Sequence, residues 1–349
     1  MQTPRIDTVR LSDDGSALVI IDQTLLPGEL KYLSLTKTED IWEAIRALRV
    51  RGAPAIGVAA GFGAYLAAKH APAGEAERSF YAACDYLATS RPTAVNLFYA
   101  LERMKSAMGR LSGRSEGEIV AGLRAEAQAI MDDDLEMSRR MGEHGRALIK
   151  PDMGILTHCN AGALATSGLG CGLAPVYAAL DAGVEGLRLY CDETRPLLQG
   201  ARLTAFEGMA LGLDTTLLCD NMASSLMKER KVDIIIVGCD RVAANGDTAN
   251  KIGTSGVAIL AKHYGVPFYV CGPSSSIDMA LKSGAEIPIE HRAPEEVTEL
   301  WYAQRMAPAG VKVYNPAFDV TDAALIAGII TEHGIARAPF EEDFRRWGL

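Results

Sequence analysis

Residues 233–242 read DIIIVGCDRV: four uninterrupted apolar residues, a glycine, and then Cys239, Asp240 and Arg241. A run such as Ile234–Val237, with no polar alternation, is the pattern of a central parallel strand covered on both faces. Working outward, short β-rich runs recur at Met153–Thr157, Leu187–Cys191, Asp214–Leu218 and Pro267–Cys271. Helical patterns lie between them at Leu198–Gly212, Asn221–Lys231 and Thr254–His263. Strands alternating with helices of this length predict a mostly parallel, Rossmann-like sheet.

The first half has a different character. Two apolar runs flank the turn Asp14-Gly15 in VRLSDDGSALVIID and predict a small β segment. Helical periodicity then covers Glu39–Val50, Pro54–Lys69, Glu75–Thr89, Ala94–Leu111 and Glu116–Ile149, with apolar residues three and four apart. Pro151 closes this half. The fold class is therefore α/β: an N-terminal mainly helical domain over residues 1–150, and a Rossmann-like catalytic domain over 151–349.

Composition sets the outer limits. A chain of 349 residues with 48% hydrophobic content fits two domains and a sizeable core. The opening MQTPRIDTVR has no charged-then-apolar pattern, so no signal peptide is expected. The apolar stretch Ala53–Ala68 is too short for a membrane span and rich in Gly and Ala, which predicts a buried helix. A net charge of −9 argues against a nucleic-acid partner. The seven cysteines, at 84, 159, 171, 191, 219, 239 and 271, form no C-x-x-C pair. They suggest neither a metal knuckle nor a redox pair, and a reducing compartment fits them best.

In open parallel sheets ligands bind beyond the carboxyl ends of the strands, so those ends are where chemistry is sought. After Met153–Thr157 comes His158-Cys159-Asn160-Ala161-Gly162. A cysteine at such an edge can act as base or nucleophile, or be a small buried hydrophobe; His158 reads as a satisfied neighbour. After Leu187–Cys191 comes Asp192-Glu193-Thr194-Arg195-Pro196, where Pro196 suits a first helical turn and the acidic pair a helix cap. Gln199, near the start of that helix, offers its amide to an anion. Asp220-Asn221 reads as a further cap.

Asp240 follows the apolar strand. Desolvation there would raise its pKa and make it a proton donor, whereas an ion pair with Arg241 would keep it ionised. Asn250 and Lys251 precede a helix start, where a cation and free backbone N–H groups suit a phosphate. Arg51-Gly52-Ala53-Pro54 and Ser90-Arg91-Pro92-Thr93 have the same physics. Together these helix starts would make a dianion site drawing on both halves.

These residues also carry a family resemblance. RGAPAIG at 51–57, SRPTAVNL at 90–97, ILTHCNAGALAT at 155–166, DETRPLLQGARLTAFE at 192–207, CDNMA at 219–223 and GCDRVAANGDTANKIGT at 238–254 resemble the methylthioribose-1-phosphate isomerase family. GVPFYVCGP, IPIE at 287–290 and NPAFDVT at 315–321 extend the likeness over nearly the whole chain, although Cys239 stands where alanine is expected. The resemblance implies a cytoplasmic homodimer with no metal or organic cofactor, acting on a small phosphorylated sugar in methionine salvage. It implies substrate binding by Arg51, Gly52, Ala53, Arg91, Gln199, Asn250 and Lys251, proton donation by Asp240, and assistance at the transition state by Cys159.

Three relatives in fold define the alternatives. A 5-deoxyribose-1-phosphate isomerase would share the site, and a ribose-1,5-bisphosphate isomerase would need further cations for its second phosphate. A regulatory subunit of the translation-initiation exchange factor would be an assembly protein without the catalytic pair.

Overall fold

The computed structural model describes residues 6–92 and 94–349. The first half of the opening MQTPRIDTVR, and Thr93 of the SRPTAVNL motif, lie outside these residues. Two compact units emerge: Arg5–Met137 with Gly162–Gly170, and Ser138–Ala161 with Cys171–Leu349.

The first unit starts with an antiparallel meander, β1 (Val9–Leu11), β2 (Leu18–Ile21) and β3 (Tyr32–Leu35). Helices α1 (Thr38–Arg46), α2 (Ala53–Lys69), α3 (Ala76–Ala88) and α4 (Val95–Leu111) follow, and then α5 (Glu116–Arg146), whose last residues from Ser138 belong to the second unit. The expected buried helix is α2: it is apolar all round, and thirteen of its seventeen residues are buried. Its glycines allow close packing. A Cβ on Gly57 would lie 2.8 Å from the Asn96 carbonyl oxygen, so α4 meets α2 almost backbone to backbone. Among the described residues no helix is long and apolar enough to cross a membrane.

The second unit contains the expected Rossmann-like sheet. In chain order its elements are β4 (Gly154–Thr157), α6 (Ala174–Asp181), β5 (Arg188–Asp192), α7 (Ala205–Ala210), β6 (Asp214–Leu218), α8 (Ala223–Lys228) and β7 (Ile234–Val237). They continue with β8 (Arg241–Ala243), β9 (Thr248–Lys251), α9 (Thr254–Tyr264), β10 (Phe268–Cys271), β11 (Ile277–Asp278) and α10 (Glu295–Thr298). The last are β12 (Phe318–Thr321), β13 (Gly328–Thr331), β14 (Gly334–Ala336) and α11 (Phe340–Arg346).

Seven strands pair in the order β6-β5-β4-β7-β10-β13-β14, all parallel except the last pair. The central strands β4, β7 and β10 are buried at every position, as their unbroken apolar runs require. The chain winds outward from β4 through β5 to β6, then returns to the other side of β4 with β7. The strand order therefore reverses between β4 and β7, the topological switch point where such sheets open a crevice. A smaller sheet, ordered β11-β8-β9-β12, stands beside the main one in the sequence and has no counterpart in the sequence reading.

Candidate active site

Two segments leave the sheet at the switch point. β4 delivers His158, Cys159, Asn160 and Ala161; its neighbour β7, paired through Leu156 and Ile235, delivers Gly238, Cys239 and Asp240. The segments touch. A Cβ on Gly238 would lie 2.8 Å from Cβ of Ala161, so only glycine lets the strand carrying Asp240 pass the loop carrying Cys159. Cys159 is buried, 9% exposed. Asp240 is exposed, contrary to the desolvation expected from its apolar strand. β7 ends at Val237, and Gly238 and Cys239 carry the chain out of the apolar floor before residue 240 is reached. The Arg241 guanidinium pairs with Asp278 at 3.7 Å.

The remaining candidates of this unit gather on the same segments. The Asp240 N–H donates to the Ala249 carbonyl at 2.9 Å, and this bond begins the β8–β9 hairpin that presents Asn250 and Lys251. Lys251 is half-buried, with its ammonium 4.1 Å from the centroid of the Phe318 ring. The Asn250 amide donates to the Thr254 hydroxyl at 3.1 Å, and that hydroxyl donates to the Lys251 carbonyl at 2.6 Å.

Free N–H groups at the start of α9 were expected to grip phosphate beside Lys251. Those of Gly253 and Ser255 are already committed to the Asp319 carboxylate, at 2.8 and 3.1 Å. Asp319 lies on β12, which pairs with β9, and a cap arriving from so far along the chain leaves no local sequence signal. These two N–H groups are therefore not available to a phosphate.

His158 does more than fill space. Its Nε2 lies 2.8 Å from the Ile252 carbonyl oxygen, which only accepts, so this nitrogen carries a proton. Its Nδ1 lies 3.1 Å from Asp192 Oδ2, and both side chains are sealed from solvent. The other Asp192 oxygen is buried without a hydrogen-bond partner. Burial alone would lower the His158 pKa, but the hydrogen bond and charge of Asp192, the charge of Asp220 and the Ile252 carbonyl raise it. Asp192 is likewise pushed up by burial, against the opposing pull of His158. Both shifts have one meaning: the pair holds its proton. Asp192 is thus an internal partner of the β4 end and no helix cap.

His158, Asp192 and Asp220 place ligand-type atoms within 4.8 Å of one another. Apart from the bare Asp192 oxygen, their donors and acceptors are spoken for. Asp220 accepts the Thr194 and Arg195 N–H groups at 2.7 Å each, and both His158 nitrogens face acceptors, so the cluster reads as a hydrogen-bond network.

Pro196 stands in a turn after a cis Arg195–Pro196 bond and not in a first helical turn. The helix instead opens at Gly200 with a π-turn, Gly200–Thr204. Close approach explains the glycine, since a Cβ there would fall 1.6 Å from the Asp192 carbonyl oxygen. Gln199 immediately precedes the turn, buried, with its amide oxygen lacking a hydrogen-bond partner.

Arg51, Gly52, Ala53 and Arg91 belong to the first unit. Gly52 starts α2 at φ 87°, and a Cβ on it would lie 2.2 Å from the Ala165 carbonyl oxygen. Bonds that fasten the loop Gly162–Gly170 to this unit include Thr8 Oγ1 to Ala163, Gln23 Nε2 to Leu164, and the Ser167 N–H to Asp134. Arg51 and Arg91 are half-buried at the starts of α2 and of the segment leading to α4.

Over 344 residues, 98% of this chain and 96% of the relative, the sequence is 61% identical to the methylthioribose-1-phosphate isomerase of Symbiobacterium thermophilum. It is 54% identical to the 5-deoxyribose 1-phosphate isomerase of Petrotoga mobilis, covering 97% of this chain and 98% of that one. The crystal structure of 5-methylthioribose 1-phosphate isomerase from Pyrococcus horikoshii matches 99% of this chain and 96% of its own, with a TM-score of 0.93 at 46% identity. Residues 49–338 match the model of the initiation factor 2 subunit family, and the chain belongs to that family.

Proposed function

We propose that the chain is an aldose–ketose isomerase converting 5-methylthioribose 1-phosphate to 5-methylthioribulose 1-phosphate, a step of methionine salvage. The observation that carries this reading is the departure of Cys159 and Asp240 from adjacent strands at the switch point of the sheet. The high identity to an isomerase along almost the whole chain supports the substrate. Retention of both residues favours catalysis over a purely assembling role.

In this reading Arg51, Gly52, Ala53, Arg91, Gln199, Asn250 and Lys251 hold the substrate. The buried amide oxygen of Gln199 wants a donor, which a sugar hydroxyl supplies and a phosphate does not. An aldose 1-phosphate has no free aldehyde, so the furanose must open first. Asp240, protonated, gives its proton to the ring oxygen as the bond from C1 to that oxygen breaks; the bound sugar desolvates the carboxyl.

Hydrogen then moves from C2 to C1. By one route it shifts with its electron pair, and the C2 hydroxyl forms the ketone while returning its proton to Asp240. By the other, the Cys159 thiolate takes the C2 proton, an enol forms between C1 and C2, and the thiol delivers the proton to C1 as the C2 hydroxyl forms the ketone and returns its proton to Asp240. In deuterated water, label at C1 supports the thiolate route and full retention of the C2 hydrogen supports the shift.

The 54% identical relative favours one second reading, a 5-deoxyribose 1-phosphate isomerase. Comparison of kcat/KM for the two sugar phosphates tests the assignment: the methylthio sugar is turned over more efficiently, and a preference for the deoxy sugar gives the second reading. The proposal includes a homodimer, to be checked by light scattering, and a reducing, cytoplasmic setting, which suits seven free thiols.

A further inference from the structure

Cys159 stands in the left-handed region, at φ 65°. A side chain with a Cβ is strained there and stays only where its surroundings enforce it. Two threonine hydroxyls do the enforcing, one at each end of the residue. The Cys159 N–H donates to Thr194 Oγ1 at 2.8 Å, and Thr204 Oγ1 donates to the Cys159 carbonyl at 2.6 Å. Both threonines are fully buried.

Each hydroxyl is also oriented. Thr194 Oγ1 spends its own proton on the Asp192 carbonyl at 3.1 Å, leaving its lone pairs for Cys159. Thr204 Oγ1 accepts from the Asn160 amide at 3.2 Å while donating to Cys159, and that amide is itself drawn to the buried Glu207 at 2.7 Å. Behind Thr194, which is itself at φ 62°, the Asp220 carboxylate grips two successive N–H groups at 2.7 Å. Behind Thr204, the π-turn brings the hydroxyl to the end of β4. Partners 35 and 45 residues away thus meet on one residue, at the two peptide units that flank its Cα.

We propose that Thr194 and Thr204 are positioning residues for the isomerisation, a two-point clamp that fixes the Cys159 backbone and so the direction in which its thiol leaves the strand. The inference rests on the assignment of Cys159 to the reaction. Released from either hydroxyl, the residue relaxes toward negative φ and swings its Cβ away. A displacement of about an ångström at a reacting group is enough to cost on the order of 100-fold in turnover.

The experiment uses Thr204→Val, Thr204→Ser and Thr194→Val, with Cys159→Ala beside them, in the full chain with 5-methylthioribose 1-phosphate. Expected is a fall in kcat of about 10- to 100-fold for both valine variants, with KM within about threefold, and recovery of most of the loss in Thr204→Ser. A folded Thr204→Val with parental kcat overturns the clamp, as does a serine variant no better than valine, which would assign the effect to packing. Should both valine variants fail to fold, the clamp is overturned too, because the hydroxyls would then serve folding. An active Cys159→Ala removes the underlying reading instead, and an inactive one beside two fully active valine variants removes the clamp alone.

Discussion

Replacing Asp192 by asparagine should remove a pH dependence of stability that the buried His158–Asp192 pair builds into the second unit. In the folded chain the pair retains one proton, because Nε2 must donate to Ile252 and the bare Asp192 oxygen needs a neutralising neighbour. The unfolded histidine releases that proton near pH 6.5. Its folded pKa being raised, the stabilisation is complete below about pH 6.5 and is lost as pH climbs through the folded value.

Within that window the folded state binds one more proton than the unfolded state, a slope of about 1.4 kcal/mol per pH unit. The pair's contribution therefore falls as pH rises above about 6.5 and continues to fall until the folded value is passed. In Asp192→Asn, a neutral imidazole accepts at Nδ1 from the new amide, and this slope disappears. The charges of Asp220 and Glu193, which bear on the pair, are common to both proteins.

Urea unfolding of parent and variant at half-unit steps of pH gives the difference directly, since other groups cancel. The gap between them should narrow as pH rises. A gap constant to within a few tenths of a kcal/mol would refute the retained proton, as would 15N imidazole shifts showing His158 and Asp192 without a shared proton at pH 7.

Two further substitutions probe the scaffold. Gly52→Ala puts a Cβ 2.2 Å from the Ala165 carbonyl at φ 87°; left-handed strain of roughly 1–2 kcal/mol plus the overlap should lower Tm by several degrees and raise KM, as thermal melts and steady-state kinetics will read. Asp319→Ala removes the cap from α9 and should cost about 0.5–2 kcal/mol in urea unfolding, with Asp319→Asn losing less because one acceptor oxygen remains.

The sheet was legible because its central strands are unbroken apolar runs, IIIV and FYVC among them, and such runs need no partner to be recognised. The smaller sheet was not: Arg241–Ala243 and Thr248–Lys251 are short and mixed, and β9 pairs with Phe318–Thr321 some 70 positions on. Candidate residues at strand ends could be picked by position, since the end of an apolar run is a local feature. Their electrostatics could not. Asp240 escapes its apolar floor within three residues, and Asp319 takes the N–H groups that a local reading reserved for phosphate. Thr194 and Thr204 were hidden because neither the sign of φ at Cys159 nor a hydroxyl partner 45 residues away leaves a trace in spacing.

The role of Asp240 is tested most directly by Asp240→Asn, assayed for binding of 5-methylthioribose 1-phosphate by calorimetry and for its single-turnover conversion. An amide cannot protonate the ring oxygen, so the sugar should bind with Kd within a few-fold of the parent and persist unopened. Conversion at a rate near that of the parent would contradict the assignment.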